Sequence, residues 1–204
     1  HTRYGTATGV QTCALPIFGR YRGRQLTAVG KGDAKSHLRP TSDKVRESLF
    51  NILINGSLGD VVSNARVLDL FAGTGALGIE AVSRGATCAR LVDSGRVAAQ
   101  LIQKNMALLG NPDSLYFSRL DALALPRNSE ASYGLIFLDP PYGKNLAPQA
   151  IASAQKQGWI DPNGVIICEE NVKIDPPAGF EHVQTRTFGE TVITVMRADP
   201  QTRS

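Results

Sequence analysis

Two patterns of apolar spacing divide the chain. From Phe18 to Val29 short apolar positions alternate with Arg and Gly, which predicts a small β-hairpin turning near Arg22-Gly23. Residues 31–40 are rich in Gly and charge and read as a loop. Thr41-Ser42-Asp43 then supplies an N-cap, and Val45, Leu49, Ile52 and Leu53 mark one face of a helix ending near Asn55-Gly56. Beyond it, strands and helices alternate. Apolar runs predict strands at Arg66–Leu70, Cys88–Val92, Leu115–Ser118, Leu135–Leu138 and Val165–Glu169. Helical patterns cover Ala76–Arg84, Arg96–Leu109 and Ala147–Gln157, the first two stopped by Gly85 and Gly110. The last two runs, Glu181–Phe188 and Thr191–Arg197, are joined only by Gly189-Glu190 and so form an antiparallel hairpin. The prediction is an α/β, doubly wound sheet made mixed by its C-terminal hairpin.

Composition narrows the class. The 204 residues, 42% hydrophobic and 20% charged, suit one globular domain with a modest extension. No apolar run approaches a membrane span and no signal peptide is visible, so the cytoplasm is the expected location and a monomer the default state. Cys13, Cys88 and Cys168 are far apart, as are the three histidines, which argues against a zinc site or a disulfide framework; no metal is expected. Residues 1–17 show no periodicity and are set aside as a cloning or assembly artefact or a disordered segment. Residues 18–40 are then a basic hairpin and loop, and residues 41–198 the main domain.

Charge is distributed unevenly. The net charge is only +4, yet Phe18–Arg46 holds Arg20, Arg22, Arg24, Lys31, Lys35, Arg39, Lys44 and Arg46 against Asp33 and Asp43. A basic arm on a nearly neutral body points to a polyanionic partner, nucleic acid above all; a solvated face is the plainer alternative.

Candidate chemistry begins at Asp69-Leu70-Phe71-Ala72-Gly73-Thr74-Gly75-Ala76-Leu77-Gly78, between the first predicted strand and helix. Gly73 and Gly75 allow a tight turn and close approach of a ligand. Asp93 ends the second strand, where a carboxylate can accept both ribose hydroxyls of an adenosine. Gly73-x-Gly75-x-x-Gly78 also satisfies a dinucleotide fingerprint, but three features oppose that reading. Asp69 would repel a pyrophosphate and attract a sulfonium bearing an amino group. Phe71-Ala72 fills the turn where another glycine is preferred. Asp121-Ala122 follows the third strand, placed either to cap an adenine amino group or to cap a helical turn.

The fourth predicted strand ends in Asp139-Pro140-Pro141-Tyr142. Two prolines restrict their own φ and the ψ of each preceding residue, so the backbone carbonyls are held in direction. An exocyclic amine on a base is a weak nucleophile because its lone pair is delocalised into the ring. The Asp139 carboxylate and the Pro140 carbonyl can accept its two hydrogens and aim the lone pair. Positive charge grows on that nitrogen during methyl transfer, so these acceptors bind the transition state best. Hydrogen bonds to charged groups contribute about 1.5–3 kcal/mol each. Tyr142 can stack on the base for about 1–3 kcal/mol, once the base has left its own stack.

These residues resemble class I methyltransferases with a DPPY-type motif. More specifically, Arg20–Leu26, Leu38–Asn51, Phe71–Ala81 and Asp139–Tyr142 resemble the bacterial 16S rRNA guanine-N2 methyltransferase family RsmD, over roughly Phe18 to Arg197. The resemblance implies a Rossmann-like, seven-stranded class I methyltransferase sheet with a small N-terminal hairpin. It implies S-adenosylmethionine as donor, S-adenosylhomocysteine as product, and a guanine of 16S rRNA, within the 30S subunit or an assembly intermediate, as acceptor. Asp69, Phe71, Ala72, Gly73, Gly75, Asp93, Asp121 and Ala122 are then expected at the cofactor, and Asp139, Pro140, Pro141 and Tyr142 at the amine. Arg20, Arg22, Arg24, Lys31, Arg39, Lys44 and Arg46 are expected on rRNA phosphates. The family often has Glu where this chain has Asp93. The tetrad's chemistry alone grips an adenine N6 amine equally well, so N6-adenine methylation of DNA or RNA is the alternative. A nicotinamide-dependent oxidoreductase would leave Asp139–Tyr142 without a role, and a plain RNA-binding module would leave both motifs without one.

Overall fold

The computed structural model describes residues 16, 18–27 and 43–199. Seven strands form one mixed sheet in the order β3-β2-β1-β4-β5-β7-β6. They are β1 (Arg66–Leu70), β2 (Cys88–Val92), β3 (Leu115–Ser118), β4 (Tyr133–Leu138), β5 (Ile160–Glu170), β6 (Phe180–Phe188) and β7 (Thr191–Ala198). The first five run parallel, and β7 inserts antiparallel between β5 and β6. The helices are α1 (Asp43–Asn55), α2 (Ala76–Ser83), α3 (Arg96–Leu108) and α4 (Leu146–Lys156). Among the described residues no helix is long and apolar enough to cross a membrane.

Alternation along each strand feeds two cores. Val67, Leu91, Phe137, Ile167 and Val195 pack toward α1, α2 and α3. Leu68, Val92, Leu138, Cys168 and Met196 face the other way, toward α4. Both faces of the parallel strands are therefore covered, as their unbroken apolar runs require. Cys88 and Cys168 are buried free thiols within these layers.

Three strands begin earlier than their apolar cores predict. β4 begins at Tyr133, and β5 begins at Ile160 although Asp161-Pro162-Asn163-Gly164 reads as a turn. Tyr133 pairs with Ile160 and Leu135 with Val165, so the polar residues of β5 are taken up in a register shift. β6 begins one residue early, at Phe180.

The N-terminal segment departs from the expected hairpin. The turn at Arg22-Gly23 is present, but Gly19–Tyr21 is a single 3-10 turn and Arg24–Thr27 pairs with no strand among the described residues. The remainder of the expected hairpin, the loop over residues 31–40 and the Thr41-Ser42 cap lie outside the described residues. Tertiary contacts dictate the local shape. Ser83 Oγ accepts the Tyr21 N–H at 2.9 Å and donates to the Phe18 carbonyl at 2.5 Å. The Gly19 backbone lies so close that a Cβ there would stand 1.7 Å from the Ser83 carbonyl oxygen. Residues 1–15 and 17, set aside above, are also outside the described residues; Pro16 is buried and accepts the Gly23 N–H.

Candidate active site

The parallel strands all deliver their carboxyl ends to one edge of the sheet, where the two sequence motifs meet. The Asp139 N–H donates to the Leu70 carbonyl at 3.4 Å, which carries the β1–β4 ladder one residue past the end of β4. The residue after β4 therefore stands beside the start of the glycine loop.

That loop is held by carboxylates from below. Asp69 is buried, and its Oδ2 accepts the Gly78 N–H at 2.9 Å. A Cβ at Gly78 would come within 2.3 Å of Leu91, so α2 can approach β2 only with glycine there. Gly75 opens α2 with φ +79, and Phe71 holds a left-handed φ of +59. A bulky residue in that region stores about 1–3 kcal/mol, which the Ala72 N–H to Val92 carbonyl bond helps retain. Asp93 accepts Gly73 N–H at 3.0 Å on one oxygen and Gly95 N–H at 2.8 Å on the other. A carboxylate has about four acceptor sites, so both oxygens retain capacity toward a diol. Asp121 caps the short 3-10 turn Ala122–Ala124 by accepting the Leu123 N–H, and Ala122 is buried beneath it. The capping role weighed in the sequence is thus the one with a drawn partner.

Electrostatics at this edge are unusual. Burial pushes the Asp69 carboxyl up to about 7, with the Gly78 N–H opposing and Asp93 adding to the rise. Asp93 is also raised, by burial first. Asp139 is raised well above the carboxylate range by burial and then by Glu169, Asp69 and Glu170. Burial holds the Tyr142 phenol up at about 12, so it remains a donor. Among the described residues no ion pair engages Asp69, Asp93 or Asp139. Such a set is suited to a ligand that brings positive charge and N–H donors.

Three residues of this site escaped the sequence reading. Tyr142 donates to Glu169 Oε1 at 3.2 Å and lies 3.3 Å from Thr191 Oγ1, so β5 and β7 anchor the tetrad's aromatic ring. Glu170 accepts the Gly143 and Asn171 N–H groups and pins the loop after the tetrad. A signal existed: the apolar run Val165–Cys168 ends in two acids at the edge where Asp139 also ends a strand. Thr191 carried none.

The basic residues are scattered rather than gathered at this edge. Arg20, Arg22, Arg24 and Lys44 are exposed. Arg20 donates to Tyr21 Oη and Ser114 Oγ, and Arg22 lies over the exposed Phe18 ring. Ser83 ends α2 and Ser114 precedes β3, so this cluster occupies the opposite edge of the sheet from Asp139, about 15–20 Å away at 3.3 Å per strand residue. Lys31 and Arg39 lie outside the described residues. Arg46 corrects the expectation of a phosphate contact: it is 1% exposed on the buried face of α1. It donates to Asp43 at 2.9 Å and sits 3.8 Å from Glu80 Oε2. Glu80, fully buried, also accepts Arg84 at 2.6 Å and the Phe18 N–H at 3.2 Å. A guanidinium so enclosed cannot reach a phosphate.

From Phe18 the segment continues to the glycine loop. Asn105, buried on α3, accepts the Thr27 N–H at 2.6 Å and donates to the Thr74 carbonyl at 2.9 Å.

Known proteins resemble the chain over most of its length. A family model described as Conserved hypothetical protein 95 matches residues 17–197. Ribosomal RNA small subunit methyltransferase D of Escherichia coli (strain K12) is 33% identical over 193 residues, covering 92% of this chain and 91% of that one. Its counterpart in Haemophilus influenzae is 36% identical over 179 residues, 85% and 88% of the two chains. The solved structure of the yhhF protein from Escherichia coli superposes with a TM-score of 0.75 at 32% identity, covering 90% of this chain and 96% of that one.

Proposed function

The chain belongs to the RsmD family, and from that premise we propose that it transfers a methyl group from S-adenosylmethionine to the N2 amine of one guanine in 16S rRNA. The observation that carries the reading is the meeting of two motifs at one sheet edge, joined by the Asp139 N–H to Leu70 carbonyl bond.

The residues fit the cofactor. The turn through Gly73 and Gly75 lies between Asp69 and Asp93, and Asp93 keeps acceptor capacity for ribose hydroxyls. Asp69, Phe71, Ala72, Gly73, Gly75 and Asp93 would hold it, with Asp121 and Ala122 on the adenine side. When bound, S-adenosylmethionine supplies a sulfonium methyl that is electrophilic without further activation. Asp69 and Asp139 balance its positive charge, which in turn favours their ionised forms.

The chain's own part is to present the amine. Asp139, ionised, accepts one amine hydrogen, and the Pro140 carbonyl accepts the other. Pro141 stiffens the turn that aims them. Tyr142, with its hydroxyl tied to Glu169 and Thr191, offers its ring to the face of the base. As the nitrogen becomes cationic both acceptors strengthen their hold, which lowers the barrier. Asp139 is the group placed to take the proton lost from the product amine.

The exposed arginines then have a role away from the chemistry. Arg20, Arg22 and Arg24, with Lys44, would contact rRNA phosphates and fix register, while the tetrad reads one base. The acceptor in this reading is 16S rRNA within the 30S subunit or an assembly intermediate.

The test is methyl transfer from labelled S-adenosylmethionine to unmodified small-subunit rRNA, naked and in 30S particles, followed by nucleoside identification. N2-methylguanosine is expected. N6-methyladenosine would keep the mechanism and overturn the acceptor. No transfer to either RNA overturns the reading.

A further inference from the structure

Two carboxylates, not one, stand where the base must sit. Leu138 of β4 pairs with Cys168 of β5, so Asp139 and Glu169 follow side by side on adjacent strands. Adjacent strands lie about 4.8 Å apart. The preceding alternation sends both side chains to the same face: Phe137 and Ile167 belong to one core, Leu138 and Cys168 to the other. Glu169 is 6% exposed, and it raises the Asp139 carboxyl more than any other neighbouring charge does. It also accepts the Tyr142 hydroxyl. Keeping a second buried carboxylate beside the first costs stability.

The ring position N1 beside the amine has opposite polarity in the two purines. Guanine carries an N1–H donor next to its N2 amine. Adenine carries an N1 lone pair next to its N6 amine. A base whose amine meets Asp139 and the Pro140 carbonyl, turned with its N1 side toward β5, would bring that ring position to Glu169. A carboxylate there accepts an N1–H and repels a lone pair. We infer that Glu169 selects guanine over adenine by accepting the ring N1–H while Asp139 holds the amine. The inference rests on the proposal that a base amine is presented at Asp139–Tyr142. Glu170 is not the selector, because its carboxylate serves the Gly143 and Asn171 N–H groups.

The test uses the full chain and small-subunit rRNA in which the mapped acceptor guanine is replaced by 2-aminopurine. That base keeps the 2-amine, exchanges the N1–H for a lone pair and lacks the 6-oxygen, so the diagnostic quantity is the change in preference between wild type and Glu169→Gln. It is also fluorescent, so binding and unstacking are read independently of turnover. Wild type is expected to prefer guanine by about 10²-fold or more in kcat/KM, as a site built around a donor rejects its absence. Glu169→Gln keeps an acceptor for Tyr142 and adds an N–H donor for N1. It is expected to lower transfer to guanine and raise relative use of 2-aminopurine, shrinking the ratio at least tenfold, with tighter 2-aminopurine binding by fluorescence. A merely structural role would slow both substrates equally; an unchanged ratio overturns the inference while guanine methylation by wild type still stands. If wild type methylates no guanine at all, it is the underlying function that fails.

Discussion

A buried carboxylate in α2 and a group of carboxylates at the carboxyl ends of the strands are built on opposite principles. Within α2, Glu80 lies between Arg46 and Arg84 and also receives the Phe18 N–H. Charge is matched, and the group holds helices and the N-terminal segment together. At the carboxyl edge, Asp69, Asp93 and Asp139 stand without an ion pair among the described residues and are pushed toward their neutral forms. The first set is complete as folded. The second, in the proposed reading, is complete only when a ligand supplies cationic charge and hydrogen-bond donors. The difference separates a matched charge cluster from an unmatched one, although both read as acidic residues in apolar surroundings.

The sharpest way to break the contrast is to remove the matched carboxylate. Glu80→Ala removes the buried carboxylate that Arg46 and Arg84 share and should cost about 3–5 kcal/mol in urea unfolding. A loss under about 1 kcal/mol would mean that the cluster is not holding the fold. Asp139→Ala should do the reverse, lowering kcat about 10²–10³-fold with folding stability unchanged or raised, because a repelled charge is removed. Isothermal titration should show the cofactor still bound; normal turnover by this variant would end the mechanism.

Next in size is a pH effect. With Asp69 near 7 when folded and near 3.8 when unfolded, the native state binds the extra proton between those values. Its contribution is therefore present below pH 4 and lost as pH rises through 7, by up to about 1.4 kcal/mol per unit. Asp69→Asn should flatten that part of the stability profile. Cofactor affinity should rise over the same range in wild type, and a flat affinity would show that Asp69 does not sense the ligand. The smallest effect belongs to the far edge: replacing Arg20, Arg22 and Arg24 with Ala should weaken RNA binding and reduce its salt slope by about one per lost phosphate contact. Turnover at saturating RNA should hold, and an unaltered slope would make these arginines a solvated surface.

Legibility in the sequence followed the range of the forces involved. β1, β2 and β3 begin and end where their apolar runs do, since burial on both faces decides those residues. Both motifs were visible because glycine, proline and carboxylates at strand ends have few other uses. Long-range partners were not visible. The hairpin expected from the Arg–Gly alternation gave way to a turn shaped by Ser83 and Glu80, more than sixty positions along the chain. Arg46 was counted as arm charge, yet it shares the helical spacing of Leu49, Phe50 and Leu53, all buried. Weighting that spacing above charge would have placed it inside, and would have turned the expected Val45–Ile52 face by about one residue.

The strand order has a consequence for how the chain comes into being. β7, the last strand in chain order among the described residues, does not close the sheet at its margin but enters between β5 and β6. Until Thr191–Ala198 leaves the ribosome, β5 presents an open edge beside a nearly finished core, a surface prone to pair with other chains. The strand that covers this edge also brings Thr191 to Tyr142, so the protection of the nascent chain and the completion of its tetrad are one late event.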